Sequence, residues 1–108
     1  MVYMMVRLQC RYGRVEEFGE IMSHLVPHLE KAGWRLHGAY QVSIGRLNKV
    51  WDLWEIPDAN ARSLTAVAFA DPEAREWAGR LADCLEEEEL EILEELQYSK
   101  DARERQRG

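Results

Sequence analysis

Two histidines, His24 and His28, are the first residues of this chain whose type and spacing could do chemistry. On a helix, side chains four residues apart share one face, so the two imidazoles could bind one metal ion. No third ligand follows at a recognisable spacing, and Pro27 disturbs the helix between them. The sequence therefore predicts no metal site. His24 is then either an acid or base that reaches a pocket, or a partly exposed helix residue.

A single carboxylate, Asp52, lies in a short apolar segment that also holds Trp51 and Trp54. In a strand, alternation places Asp52 and Trp54 on one face and Trp51 on the other. Burial would raise the pKa of Asp52 and make it a candidate general base. A partner such as Arg7, Arg35 or His24, or a position facing water, would instead leave it an ordinary carboxylate. Trp54 is a candidate ligand platform or a core residue, and Trp51 a packing or dimer-interface residue.

Seven glutamates crowd into residues 86–95. This run lacks the alternating Asp, Asn and Gly of a calcium-binding loop, so we interpret it as a solvated face. The chain also lacks a glycine-rich phosphate loop, a paired-cysteine motif and a hydrolase triad at a recognisable turn. The sequence therefore predicts neither a cofactor nor a metal.

Composition limits the class of protein further. With 108 residues and a net charge of −6, the chain is expected to form one acidic domain, which argues against nucleic acid as its partner. No signal-peptide pattern and no apolar run of membrane-spanning length is present. Cys10 and Cys84 are therefore predicted to be buried thiols in a reducing cytoplasm, rather than a disulfide of a secreted protein.

Hydrophobic periodicity gives the elements that must position these residues. Residues 2–10 alternate as a strand with one apolar face that includes Met4, Val6 and Leu8. From residue 14 the period changes to that of a helix, which is predicted to bend at Pro27 and to end at Gly33. Residues 34–44 and 49–56 are predicted to form a hairpin around a turn at 45–48.

The second half of the chain is less regular. Helices are predicted over residues 59–70 and 73–85, with Asp71 as an N-cap before Pro72. Residues 86–97 have high helix propensity, but a β-α-β-β-α order calls for a fourth strand here. Residues 1–98 are expected to form the domain, and 99–108 a charged, disordered tail.

Several short motifs occur in order at compatible spacing: Gly13-Arg14-Val15-Glu16-Glu17-Phe18, His24 with Pro27, Gly33-Trp34-Arg35-Leu36, Ile44-Gly45 with Leu47-Asn48 and Leu53-Trp54, and Ala70-Asp71-Pro72. Together they resemble the NIPSNAP family of the dimeric α/β-barrel (ferredoxin-like) superfamily. The resemblance implies an α+β fold, a four-stranded antiparallel sheet with helices on one face and a second subunit on the other. It also implies a strand over residues 88–96.

Two departures from the family pattern bear on function. Met4-Met5-Val6-Arg7-Leu8 replaces a Glu-Leu-Arg-x-Tyr-like first strand, and Asp52 stands where many members have histidine. These changes imply a more apolar pocket than is usual in the family.

The resemblance implies a cytoplasmic homodimer whose mostly apolar pocket binds a small hydrophobic molecule. By analogy with the superfamily, it would be a cofactor-independent isomerase, cyclase or monooxygenase of secondary metabolism. Asp52 would be the base or orienting group, and His24 and Arg7 its acid or anion partners. Trp54, Tyr40, Met4, Val6 and Leu8 would shape the site. The alternative is a non-catalytic dimeric accessory or interaction module.

Overall fold

Four antiparallel strands form one sheet, with two of the described helices packed on one of its faces. A computed structural model describes residues 2–58, 60 and 69–107. The strands lie in the order β2-β3-β1-β4. In chain order the elements are β1 (Val2–Cys10), α1 (Val15–Lys31), β2 (Arg35–Gln41), β3 (Lys49–Ile56), α2 (Pro72–Cys84), β4 (Leu85–Glu94) and α3 (Lys100–Arg107).

The architecture is ferredoxin-like α+β, as predicted. β1 is central and pairs with β3 on one side and β4 on the other. Helices α1 and α2 contact each other and cover the sheet face that carries Met4, Val6 and Leu8. We call this the inner face, and the opposite side of the sheet the outer face. None of the described helices is long and apolar enough to cross a membrane.

Helix α1 contributes four buried apolar residues to the core. Its buried residues recur at helical spacing, namely Phe18, Ile21, Leu25 and Leu29, as a stripe facing the sheet requires. The helix continues through Pro27, which has no N–H to donate to the carbonyl of Ser23. It ends at Lys31, and after the C-cap Ala32 the chain turns at Gly33, whose φ of 101° is a conformation that side chains with a Cβ rarely adopt.

The two cysteines lie together at the end of the core. Cys10 and Cys84 are both buried and free, as predicted. Burial, the neighbouring Cys84 and Asp52 raise the pKa of Cys10 to about 11. Both side chains therefore act as small apolar groups of the interior.

Strand β2 differs most from its prediction. It ends at Gln41 rather than near residue 44, and its register with β3 shifts between Leu36 and Gly38. An extra residue at such a bulge reverses which side chains face which side of the sheet. Leu36 therefore pairs with Trp54, whereas Tyr40 pairs with Trp51 on the outer face. Tyr40 is therefore not on the same face of the sheet as Asp52 and Trp54, although strict alternation along β2 would place it there.

Strand β4 is the predicted fourth strand, although it begins earlier, at Leu85. Most of the residues in it are good helix formers, so the strand depends on its pairing with β1. Asp71 caps α2 as predicted, because its Oδ1 accepts a hydrogen bond of 2.8 Å from the backbone N–H of Glu73. The predicted helix over 59–70 lies almost entirely outside the described residues.

The segment expected to be a disordered tail contains helix α3 in the structure. Ala102 is buried, and Arg105 forms an ion pair with Glu95. Sequence periodicity gives no sign of this helix because only one small residue anchors it.

Candidate functional site

Asp52 is a carboxylate buried in the apolar core. It lies on β3, pairs with Val6 of β1, and is only 3 % exposed. Its neighbours two residues away along the strand, Val50 and Trp54, are buried on the same inner face. The alternation of β3 therefore places Asp52 between the sheet and the helices, as the sequence predicts.

Two clefts meet at Asp52. The larger, of about 690 Å³, lies between α1 and the β2 side of the sheet. Its apolar lining comes mainly from α1 and the facing strands: Val15, Phe18, Met22, Val26, Leu36 and Val50. The smaller, of about 230 Å³, lies under α2 and is lined by Met4, Val6, Leu8, Leu25, Trp34, Trp54, Phe69 and Leu81. Asp52 and Met22 line both clefts, so a ligand in either one reaches the same carboxylate.

The electrostatic surroundings of Asp52 favour its protonated form. Burial raises its pKa first, and the nearby negative charge of Glu88 adds to the effect, giving a pKa of about 6. No described residue donates a hydrogen bond to its carboxylate or forms an ion pair with it. A carboxylate in such a position can take up or release a proton near neutral pH.

Glu88 is a second carboxylate at this site, and sequence reasoning missed it. It lies on β4 opposite Leu8, lines the smaller cleft, and has a pKa raised by burial. Glu88 is exposed, as the interpretation of the glutamate run as a solvated face requires, but it also lines the smaller cleft. Strand alternation is the signal that could have found it, because Glu88, Leu90 and Ile92 share the inner face once the segment is a strand.

The predicted ligand-binding residues gather around Asp52, with one partial exception. Met4, Val6, Leu8 and Trp54 line the smaller cleft. The Trp54 ring meets Trp34 edge to face, with 5.4 Å between centroids. Tyr40 reaches the larger cleft from its rim, but its ring lies over Gly38, where a Cβ would overlap it.

His24 does not share a cleft with Asp52. Its ring stacks on Trp77 of α2, with 4.0 Å between centroids and 4° between planes. The guanidinium of Arg80 lies 4.5 Å from the same indole. The neighbouring residues Met22 and Ser23 line the clefts, whereas His24 lines neither of them. In this geometry His24 joins the two helices at the surface.

Arg7 lies on the outer face, so the sheet separates it from Asp52. Its guanidinium forms an ion pair of 3.1 Å with Glu91 and lies 4.6 Å from the centre of the Trp51 ring. Of the three residues predicted to act on a substrate, only Asp52 therefore lines the clefts.

His28, the other member of the histidine pair, lies beside the start of α2. Its Nδ1 is 3.9 Å from Asp71 Oδ2, and the ligand atoms of His28, Asp71 and Glu73 lie within 4.8 Å of one another. The other oxygen of Asp71 caps α2. A cation here would face the positive end of the helix dipole, which opposes binding. The absence of a metal therefore stays a prediction.

Comparison with known proteins agrees with the fold. The family model for NIPSNAP matches residues 3–100. No curated protein matches the chain.

Solved structures give the same result. A NIPSNAP domain protein from Burkholderia xenovorans is similar with a TM-score of 0.80 and 25% identity, covering 94% of this chain and 100% of that one. A NIPSNAP family protein from Agrobacterium tumefaciens has a TM-score of 0.82 at 19% identity, covering 93% and 92%. A protein from Nitrosomonas europaea, provisionally named an antibiotic biosynthesis monooxygenase, has a TM-score of 0.67 at 15% identity, covering 89% and 99%. Because the family model spans nearly the whole sequence, the chain belongs to the NIPSNAP family.

Proposed function

We propose that this protein binds a hydrophobic small molecule in the clefts that meet at Asp52. The observation that carries the proposal is a buried carboxylate that has no partner among the described residues, in clefts whose other walls are mostly apolar. Burying an unpaired charge destabilises the folded state by several kcal/mol. Such a group is therefore expected where it serves a function. Ligand sites typically combine such apolar walls with a few polar groups that orient the bound molecule.

Asp52 also fits a chemical step, removal of a proton from the bound molecule. Its pKa of about 6 lets it accept a proton near neutral pH and return it later. Proton abstraction of this kind begins cofactor-independent isomerisation and cyclisation, and also oxygenation when O₂ is the oxidant. The similar fold of the Nitrosomonas europaea protein supports this reaction class by analogy of fold.

A ligand screen tests binding separately from catalysis. Hydrophobic compounds of different shapes are added to the protein, and binding is followed by thermal shift and by isothermal titration calorimetry. We expect binders to raise the melting temperature, because they bind the folded state alone. Filling the smaller cleft with Val6→Phe or Leu8→Phe should weaken this binding.

Catalysis is tested with Asp52→Asn and any compound that the wild type converts. Loss of turnover with binding retained supports a proton-transfer role for Asp52. Asp83→Asn, at an exposed carboxylate on α2, is the matched control and should leave turnover unchanged. Failure of every hydrophobic compound to bind would contradict the proposed function.

We also propose that the outer face joins two copies of the chain. Apolar and aromatic side chains occupy this face and line an open depression of about 390 Å³: Met5, Tyr40, Val42, Trp51 and Leu53. A sheet with apolar side chains on both faces requires cover on both. A second copy supplies the same surface through a two-fold axis. The alternative function, a non-catalytic dimeric module, rests on this face alone.

Light scattering after size-exclusion chromatography measures the oligomeric state. We expect the wild type to have the mass of a dimer and Leu53→Glu that of a monomer. Ile44→Glu, at a 95 % exposed position in the hairpin loop, is the control and should stay dimeric. A wild type that is monomeric at all concentrations contradicts the dimer. A dimer that binds none of the compounds favours the accessory module.

A further inference from the structure

The ionisable groups around the two clefts are nearly all acids. The larger cleft is lined by Glu16, Tyr40 and Asp52, and the smaller by Asp52 and Glu88. Among the described residues that line these clefts there is no lysine, arginine or histidine. The described part of the site therefore offers negative charge and hydrogen-bond acceptors, and none of its side chains would attract an anion.

The two carboxylates of the smaller cleft lie on the two strands that flank β1. Asp52 pairs with Val6 from one side, and Glu88 pairs with Leu8 from the other, both on the inner face. Asp52 lies at the buried end, whereas Glu88 is exposed at the mouth. Two acids in one apolar cleft produce a strong negative potential, because the surroundings screen them less than water does.

The buried member of this pair has no counter-ion in the part of the chain that the structure describes. Asp52 is 3 % exposed and has no hydrogen bond or ion pair to any described residue. Natural proteins generally pair a buried charge with an opposite charge or bind a metal to it. Here the described residues supply no positive charge at the clefts, so the missing charge fits a bound molecule.

The walls around the carboxylates suit the apolar part of such a molecule. Trp34, Trp54 and Phe69 line the smaller cleft, and Phe18 lines the larger. Aromatic faces attract cations in addition to burying apolar surface. On α1, Pro27 leaves the carbonyl of Ser23, a residue that lines the larger cleft, without its usual helical donor.

We propose that the ligand of this site is a hydrophobic amine, with its ammonium group at Asp52 and Glu88 and its apolar body in the clefts. This inference rests on the proposed function, because it names the chemical class of the molecule that the same site binds. The ammonium group would donate hydrogen bonds to carboxylates that have no other donor among the described residues. Carboxylic acids and phosphates would be excluded by repulsion from the same two groups.

Matched probes that differ only in the head group test this inference. Naphthyl, indolyl and cyclohexylphenyl bodies are each prepared with an ethylamine, an ethanol and a propanoic acid side chain. Affinities are measured at pH 7.5 by isothermal titration calorimetry. For the bodies that fit, we expect the amine to bind at least about tenfold more tightly than the alcohol, since a buried ion pair is at stake. The acid should not bind.

Three variants test whether the preference for an amine arises at Asp52 and Glu88. Asp52→Asn should weaken amine binding at least about tenfold and leave alcohol binding unchanged. Glu88→Gln, at an exposed position that does not threaten the fold, should weaken amine binding about threefold. Glu86→Gln, an exposed glutamate on the same strand that lines neither cleft, is the matched control and should have no effect.

The possible outcomes separate this inference from the proposed function. Alcohols or acids that bind as tightly as the amines overturn the amine inference and leave small-molecule binding intact. Amine binding that is insensitive to both Asp52→Asn and Glu88→Gln also overturns it, because the head group would then lie elsewhere. Failure of all nine probes to bind counts against the inference and the proposed function together.

Discussion

A carboxyl group among aliphatic side chains makes the stability of the whole chain depend on pH. The pKa of Asp52 is raised from 3.8 to about 6 in the folded state. Between these values the folded chain holds the proton more tightly than the unfolded chain does. The free energy of unfolding therefore falls as the pH rises from about 4 to 6, and this contribution is constant above that range.

Asp52→Asn should remove this dependence, because asparagine has a similar volume and no charge. At pH 7.5 we expect the variant to be more stable than the wild type by roughly 2–3 kcal/mol, and at pH 4 about equally stable. Urea denaturation at pH 4, 6 and 7.5 measures the difference. Asp83→Asn should follow the wild type at every pH. Equal stability of Asp52→Asn and the wild type throughout would show that the carboxylate is solvated.

Arg7 and His24 allow a second test at the residue scale. The Arg7 ion pair is partly exposed, and His24 stacks on Trp77 at the surface. We expect Arg7→Gln and His24→Ala each to lower the free energy of unfolding by under about 1 kcal/mol. Ligand affinity should not change in either variant. A loss of ligand affinity in either variant, measured by calorimetry, would show that the substituted residue contributes to the binding site.

At the scale of the elements, local pattern predicts the strands that have one buried face. The alternation in β1 and β3 correctly assigns the core residues and the two faces of Trp51 and Trp54. The bulge in β2 could not be predicted, because an extra residue is defined only by the strand it pairs with. Tyr40 is therefore assigned to the wrong face of the sheet when only its own strand is considered.

Strand β4 could not be predicted from local propensity. Its glutamates and leucines favour a helix, and the resemblance to a family, rather than propensity, indicates a strand. The same ambiguity between helix and strand affects the prediction of the candidate site. Glu88 can be placed at the cleft only when the register of β4 against β1 is known.

The turn that follows α1 should be sensitive to substitution of Gly33. Gly33 has a φ of 101°, and a Cβ there would lie 3.2 Å from Pro57. Gly33→Ala should therefore lower the free energy of unfolding by about 1–2 kcal/mol, measured by urea denaturation. Gly79→Ala is the contrasting substitution, because Gly79 lies within α2 and a Cβ added there would have no neighbour within 4 Å. It should raise stability by about 0.5–1 kcal/mol. A neutral Gly33→Ala would mean that the turn relaxes easily.

For the whole molecule, the question is how much of the chain the domain needs. Helix α3 is attached through the buried Ala102 and the ion pair of Arg105 with Glu95. Removing residues 99–108 should therefore lower the free energy of unfolding by about 1–2 kcal/mol and leave ligand binding intact. Denaturation and calorimetry on the shortened chain measure both. Complete unfolding on truncation would contradict a domain boundary at residue 98.

The position of β4 at the edge of the sheet has a consequence for solubility. An edge strand exposes unpaired backbone groups that can pair with strands of other molecules, and charged side chains oppose this. In β4 the opposing charges are all carboxylates: Glu86, Glu87, Glu88, Glu89, Glu91 and Glu94. Leu90 and Ile92, each about half exposed, lie among these charges. Replacing the glutamates of β4 by glutamine should therefore turn this protected edge into the part of the molecule that nucleates aggregation.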